Sequence, residues 1–459
     1  MKLKFTSLLV AAGLGACAFN SYADDLLQIY QLAQQKDPVI LQAKAERDAA
    51  FERINQSQAS LLPQVSLSGG YTYSSTLGSY TPAKYRDASA GLTLTQSIFS
   101  RANWLNLGIS EKNATQQEAL YGYQQQDLMV RVATAYFNVL RAIDDLSYVR
   151  ANKTAVKRQL DQTQQRYKVG LTPITDVNEA QAEFDRTVAE EIQSENTLDN
   201  SYESLRKLVG VMPRDLKLLN TKEFSPSPLT HENKFWMDAA IDKNLQLNAD
   251  RIAKQVAEQQ IDVAKAGHLP TLSLEGGLST QYKHYRNDYI AENASDEGHG
   301  DAASVGLQLS MPLYQGGEIN SKVREARYDY VAASQSLENT YRTVQTNLNS
   351  TYNNVRANLS SIKAYQQTVK SSLSALKATE AGFKVGTRTI VDVQDATSNY
   401  YQAKEELAGS RYDYIINMLT LKQLAGTLKE SDLQGINNLL FTPKEQIPVQ
   451  PAAPSLDNK

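Results

Sequence analysis

Four carboxylates stand out by their spacing. Asp176 and Glu179 lie three residues apart, and so do Asp392 and Asp395. In a helix that spacing puts both members of a pair on one face. With three copies of the chain around an axis, Asp392 and Asp395 would make two stacked acidic rings, which select cations and repel anions. The same residues also suit a structural task. Acids in a first turn complement the helix dipole, and Thr389 with Asp392 has the spacing of a capping box. Capping does not require two acids on one face, so both uses stay open at this level.

Other chemistry is sparse. His231, His268, His284 and His299 are scattered, with no i, i+4 pairing for a metal. The run Asp296-Glu297-Gly298-His299-Gly300-Asp301 reads as a solvated surface loop. Neither a phosphate loop nor a nucleophile elbow occurs. The single cysteine, Cys17, falls in an N-terminal leader. We therefore expect no enzyme, no cofactor and no metal centre.

Lys2 and Lys4 precede an apolar stretch from Phe5 to Ala18, and Ser21-Tyr22-Ala23 offers small residues for cleavage. We read 1–23 as a secretory signal peptide, with Asp24 as the first mature residue. Leu14-Gly15-Ala16-Cys17 also matches the box at which lipoproteins are cut and lipidated, the alternative fate of this terminus. The 459 residues are 41% hydrophobic and 21% charged, with net charge -3 and a mean hydropathy of -0.45. Beyond the leader no apolar run approaches the ~20 residues of a membrane-crossing helix. That excludes a polytopic helical membrane protein, and the absence of a basic block argues against nucleic acid. A transmembrane barrel is not excluded, since its strands are individually weak signals.

The elements that must position the acids come in two similar halves. Leu62-Pro63 and Ser66-Leu67-Ser68-Gly69-Gly70 recur as Leu269-Pro270 and Ser273-Leu274-Glu275-Gly276-Gly277. Lys168-Val169-Gly170 and Asp176-Val177 recur as Lys384-Val385-Gly386 and Asp392-Val393, and Leu208-Val209-Gly210 as Leu424-Ala425-Gly426. Proline is absent between Pro82 and Pro173 and between Pro312 and Pro443. Proline costs a helix interior ~3 kcal/mol, so 101–168 reads as one helix of about 68 residues and about 100 Å. Segment 319–383 is its twin. Leu337, Tyr341, Val344, Leu348, Val355, Leu359 and Ile362 keep to steps mostly of three and four, the spacing of left-handed coiled-coil packing. In the first long helix two adjacent stripes, Leu128-Val132-Ala135-Val139 and Met129-Ala133-Tyr136-Leu140, imply two packing neighbours.

Four segments alternate with period two. Val65, Leu67, Gly69, Tyr71 and Tyr73 interleave with serines, Gly70 and Thr72. Ala90 to Ile98, Leu272 to Leu278 and Val305 to Leu313 repeat the pattern. A sheet with one face on a soluble core would give the same alternation. Aromatics near the strand ends (Tyr71, Tyr73, Phe99, Trp104, Tyr282, Tyr314), in an exported chain, favour a membrane barrel with an interfacial belt. Such a barrel must close, and four strands are too few. Two chains would give 8 strands packed solid with side chains; three give 12 and a lumen.

The turns Lys168-Val169-Gly170-Leu171-Thr172-Pro173-Ile174-Thr175-Asp176-Val177 and Val385-Gly386-Thr387-Arg388-Thr389-Ile390-Val391-Asp392-Val393-Gln394-Asp395, with His268-Leu269-Pro270 and Leu313-Tyr314-Gln315-Gly316-Gly317, carry a resemblance over nearly all of the mature chain. The sequence resembles the TolC-like family of outer-membrane efflux and secretion ducts. The resemblance implies a mixed fold: a transmembrane β-barrel, four strands per chain and 12 in a homotrimer, continuous with a long α-helical coiled-coil tunnel in the periplasm. It implies a passive exit path for drugs, amphiphiles and type I secreted proteins. The implied partners are a periplasmic adaptor, an inner-membrane RND, ABC or MFS pump, and outer-membrane lipid, with no nucleic acid. It places Asp392 and Asp395 at a closed periplasmic entrance. Arg388 would link with Thr175 and Asp176 to hold that entrance shut, and Gln159 with Glu380. Phe383 stands where the family pattern has a tyrosine whose hydroxyl bonds the Asp176 position; its loss, about 1 kcal/mol per subunit, predicts a more easily opened gate.

The expected layout is then a first-repeat helix over 24–62, a strand pair over 63–100, a long helix pair over 101–209 and an equatorial segment over 210–244. The second half comprises a helix over 245–268, strands over 269–315, long helices over 316–425 and an equatorial segment over 426–442. A disordered proline-rich tail spans 443–459. The competing class is a trimeric coiled-coil structural or adhesive envelope protein. Such proteins carry their membrane strands at one chain end, whereas here the strand pairs are internal and duplicated.

Overall fold

The computed structural model describes residues 24–75, 84–213, 215–286 and 296–442. The expected leader with Cys17, part of the polar loop that begins at Asn293, and the tail over 443–459 lie outside the described residues. The chain begins with α1 (Leu26–Lys36) and α2 (Pro38–Ala59) where one helix was expected. The break has a local cause. Pro38 has no N–H to continue α1, and the Asp37 carboxylate accepts from Val39 N at 2.6 Å and Ile40 N at 3.4 Å to start α2.

Strands β1 (Gln64–Ser75) and β2 (Lys84–Phe99) come next, then α3 (Arg101–Lys168) and α4 (Ile174–Val209). The short β3 (Leu218–Leu219), α5 (Asn233–Lys243) and α6 (Leu245–Ala266) lead into the second half. There β4 (Thr271–Tyr285), β5 (Gly298–Ser310), α7 (Glu318–Lys384) and α8 (Ile390–Leu424) repeat the plan. The last elements are α9 (Glu430–Asn437) and β6 (Leu440–Phe441), which pairs with β3.

The four long strands make one antiparallel sheet in the order β1-β2-β4-β5. Its register aligns like with like: Leu67 faces Leu92, Leu92 faces Leu278, and Leu278 faces Ala303. Ser68, Gly91 and Ser279 form the corresponding row on the other face. The apolar face is open, with Leu67 81% and Val305 78% exposed. A soluble half-sandwich would cover that face; lipid suits it.

The helices build a wall. α3 packs on α4 and α8, α7 packs on α8, and the upper lengths of α3 and α7 hold α2 and α6. Both stripes of α3 are buried, from Leu128 and Met129 through Val139 and Leu140. That is the two-neighbour packing that its sequence implies. The main core sits at mid-height, where Tyr136 and Phe137 pack edge to face and Phe137 stacks on Tyr412. No described helix is long and apolar enough to cross a membrane.

Candidate functional site

Both long helix pairs reverse direction at the end far from the sheet. Each reversal uses one glycine with positive φ, Gly170 at 75° and Gly386 at 81°. A backbone bond five residues back closes each helix, Leu171 N to Arg166 O at 2.8 Å and Thr387 N to Gly382 O at 2.9 Å. The next helix starts differently in the two turns. α4 begins at Pro173 with no side-chain cap. α8 begins at Thr389 with a full capping box: Thr389 N donates to Asp392 Oδ2 at 2.8 Å, and Asp392 N donates to Thr389 Oγ1 at 3.2 Å.

Asp392 is thus held by the helix start. The Thr389 backbone N–H, its hydroxyl and nearby Arg388 keep the Asp392 carboxyl below the usual range, so it stays charged. Asp395 is exposed one turn further along α8. Arg388 lies 3.9 Å from Asp392 Oδ1. Within one chain it does not join Thr175 or Asp176: the Asp176 carboxylate accepts from Thr172 Oγ1, and from Thr175 Oγ1 at 3.5 Å.

The end of α3 packs into the angle between α7 and α8. A cleft of about 540 Å³ opens there, rimmed by Gln159, Arg166, Glu380, Phe383, Lys384 and Val393. It brings Gln159 and Glu380 to one place, although the Gln159 amide donates to Thr397 Oγ1 of α8 at 3.1 Å. Gln159 is 8% exposed, and its Oε1 has no hydrogen-bond partner among the described residues. Arg166 stacks on the Phe383 ring, 4.9 Å from its centroid. The position that lacks a tyrosine hydroxyl therefore has a cation–π contact.

Sequence reasoning missed Arg166 and Thr397. A sign was available. Gln159, Thr163 and Arg166 are spaced by four and three on α3, and Gln394 and Thr397 by three on α8. Polar residues on an otherwise apolar seam mark a place where something other than packing is served.

The family description "Outer membrane efflux protein" fits residues 29–211 and 236–427. The chain is 45% identical to the outer membrane protein TolC of Vibrio cholerae serotype O1 over 434 residues, 95% of this chain and 98% of that one. It is 43% identical to TolC of Escherichia coli strain K12, covering 98% of this chain and 92% of the other. Among solved structures, the CmeC outer membrane channel of Campylobacter jejuni superposes with a TM-score of 0.75, over 96% of this chain and 98% of that one at 15% identity. At that identity the superposition speaks for the fold.

Proposed function

The chain belongs to the outer membrane efflux protein family, and from that premise we propose a gated, passive exit duct built from three copies. It is an outer-membrane efflux and secretion channel with a tunnel in the periplasm. The observation that carries the trimer is the sheet order β1-β2-β4-β5, in which β1 and β5 each pair on one side only. A membrane sheet cannot leave such edges open to lipid. Joining β5 of one copy to β1 of the next closes the ring, and three copies give a lumen that two would fill with side chains.

In this reading the four long helices of each copy extend the barrel as a tunnel. A periplasmic adaptor and an inner-membrane pump of the RND, ABC or MFS class dock at its lower end and supply energy and choice of substrate. Drugs, amphiphiles and type I secreted proteins pass through without being chemically changed. Asp392 and Asp395 form two acidic rings at the periplasmic aperture. We assign the Arg388 links with Thr175 and Asp176 to the contact between neighbouring copies, because within one chain Arg388 turns toward Asp392. Gln159 and Glu380 brace the same entrance across their shared cleft.

Planar-bilayer currents test the aperture. Wild type should prefer cations, and Asp392→Ala/Asp395→Ala should lose most of that preference. The duct itself is tested by deletion: the strain becomes drug-susceptible, and wild type restores resistance. A purified channel without cation preference would overturn the acidic rings. Unchanged susceptibility to every pump substrate would overturn the duct.

A further inference from the structure

Helices leave the sheet at one end only: α2 enters β1, β2 exits into α3, α6 enters β4 and β5 exits toward α7. The hairpin ends of the strands therefore mark the outer side of the membrane. On the apolar face, residues of β4 run from Leu272 to Tyr282. Ten residues at ~3.4 Å, tilted by ~40°, rise about 26 Å, the height of a barrel's lipid-facing band.

At its outer end the same face turns basic. Tyr71 lies opposite Ala88, Ala88 opposite Tyr282, and Tyr282 opposite His299, closing the band with two tyrosines and a histidine. The Tyr282 and His299 rings stand 4.7 Å apart. One row further out Tyr73 faces Arg86, and Arg86 faces His284. Beyond that come Lys84 and Arg286, tied by Arg286 N donating to Lys84 O at 2.8 Å. Lys84, Arg86 and Arg286 are exposed, and none meets a carboxylate within 4.0 Å among the described residues.

The acids nearby divide between the two faces. Asp296 is held by Lys283, whose row belongs to the opposite face. Glu297 stands beside the outer row, 3.0 Å from His284 Nδ1, and accepts from Tyr285 N at 2.8 Å. Asp301, opposite Thr280, also lies on the lipid-side face, one row inside Tyr282.

We propose that the three cations Lys84, Arg86 and Arg286, above the tyrosines, bind the phosphate of an outer-leaflet lipid headgroup. The proposal rests on the barrel reading above, which turns this face toward lipid. Charge and depth together select the occupant. Three cations that meet no carboxylate among the described residues, immediately above an aromatic girdle, stand at the height of headgroups, and guanidinium groups match phosphate in geometry as well as charge. A soluble anion would meet the same cations, but it has no use for the apolar band beneath them.

The test uses the purified full-length oligomer in detergent and measures binding by native mass spectrometry. Bisphosphorylated lipid A is the probe, with dephosphorylated lipid A and inorganic phosphate as controls. Juxtamembrane cations each contribute roughly fivefold, so Lys84→Gln/Arg86→Gln/Arg286→Gln should weaken lipid A binding about 100-fold and Arg86→Gln alone about fivefold. Removing the phosphates from the lipid should weaken wild-type binding comparably, and inorganic phosphate should not compete at equal phosphorus concentration. Arg86→Gln covers the case in which the triple variant fails to assemble. Variants that bind within twofold of wild type, equal binding of dephosphorylated lipid, or full competition by inorganic phosphate would overturn the site. Oligomer mass and conductance are read on the same samples. A wild type that forms no trimeric barrel overturns the reading beneath the proposal, whereas conducting variants with unaltered lipid binding overturn the proposal alone.

Discussion

At mid-height each half stacks the end of a lower long helix against the break between two upper helices, and the two junctions solve this differently. In the first half Gly210 closes α4 beside Lys36, and Asp37 starts α2. In the second Gly426 comes after α8 against Lys243, and Asn244 starts α6. Both glycines take positive φ, 75° and 67°. Their surroundings differ. A Cβ on Gly210 would find Lys36 Cβ at 4.0 Å, whereas a Cβ on Gly426 would fall 2.1 Å from Lys243 O. The cap residues differ in kind as well. Asp37, 1% exposed, has only acceptors and takes Arg131 Nη1 at 2.5 Å. Asn244, 2% exposed, accepts from Leu247 N at 2.9 Å and donates to Leu424 O at 2.8 Å. A duplicated plan has become one loose, charged joint and one tight, neutral joint.

The strongest way to break this contrast is a methyl group. Gly426→Ala adds a backbone collision to the left-handed strain, about 2–5 kcal/mol in total, whereas Gly210→Ala bears the strain alone, about 1–2 kcal/mol. Thermal unfolding of the two variants should order them in that way. Equal shifts would mean that the joints are equivalent after all.

Next comes the cap. Asn244→Asp keeps the acceptor for Leu247 N, removes the donor for Leu424 O, and sets a carboxylate against that carbonyl. A buried acceptor left without its donor costs about 1–3 kcal/mol, so the variant should melt lower than wild type by that margin. A neutral result would show that the amide donation carries nothing, and that the first half's acceptor-only cap would serve in both places.

These joints also show what a sequence withholds. The long helices were legible because proline, the strongest helix breaker, leaves the stretch that becomes Arg101–Lys168 untouched. The strands were legible because a lipid-facing sheet alternates strictly, and Leu67, Leu92 and Leu278 fall in one row as their patterns require. The Asp37-Pro38 break had a local signal, an Asp N-cap before a Pro at the first helical position, which a one-helix reading of 24–62 overrode. The tightness at Gly426 had none, since its cause is a carbonyl of Lys243 far away in sequence. The cleft residues behave alike. Arg166 meets Phe383, and Gln159 meets Thr397, only after three helices converge.

A third difference lies along the inner helices. Counted from the turn lysines Lys168 and Lys384, Asp144 and Asp145 of α3 correspond to Ser360 and Ser361 of α7. Burial first, then the nearby Glu405, pushes the Asp145 carboxyl up to about 7. The folded state therefore holds a proton that the unfolded chain releases near 3.8, the ordinary aspartate value. Stability from this group is greatest below that value and falls as pH rises toward about 7. Asp145→Asn should flatten that slope and raise the melting point near neutral pH relative to wild type. A serine-bearing half needs no such proton, so Ser360→Ala/Ser361→Ala should leave the profile unchanged. Parallel pH profiles for wild type and Asp145→Asn would overturn the assignment.

The smallest contrast is at the turns, where Tyr167 of the first half corresponds to Phe383 of the second. Phe383 lacks a hydroxyl, yet its ring lies under Arg166. A cation–π contact at such a site is worth about 0.5–1 kcal/mol, on the scale of the ~1 kcal/mol expected of the absent hydrogen bond. In the proposed gate the stack and the hydroxyl are separate contributions, and phenylalanine keeps only the first. Phe383→Leu removes the stack and should raise closed-state conductance. Phe383→Tyr keeps the ring beneath the guanidinium and adds a donor, so its closed state should conduct less than wild type. The ordering of leucine, phenylalanine and tyrosine from most to least conducting is the measurement that matters. Three equal closed states would show that neither contact at this position holds the entrance.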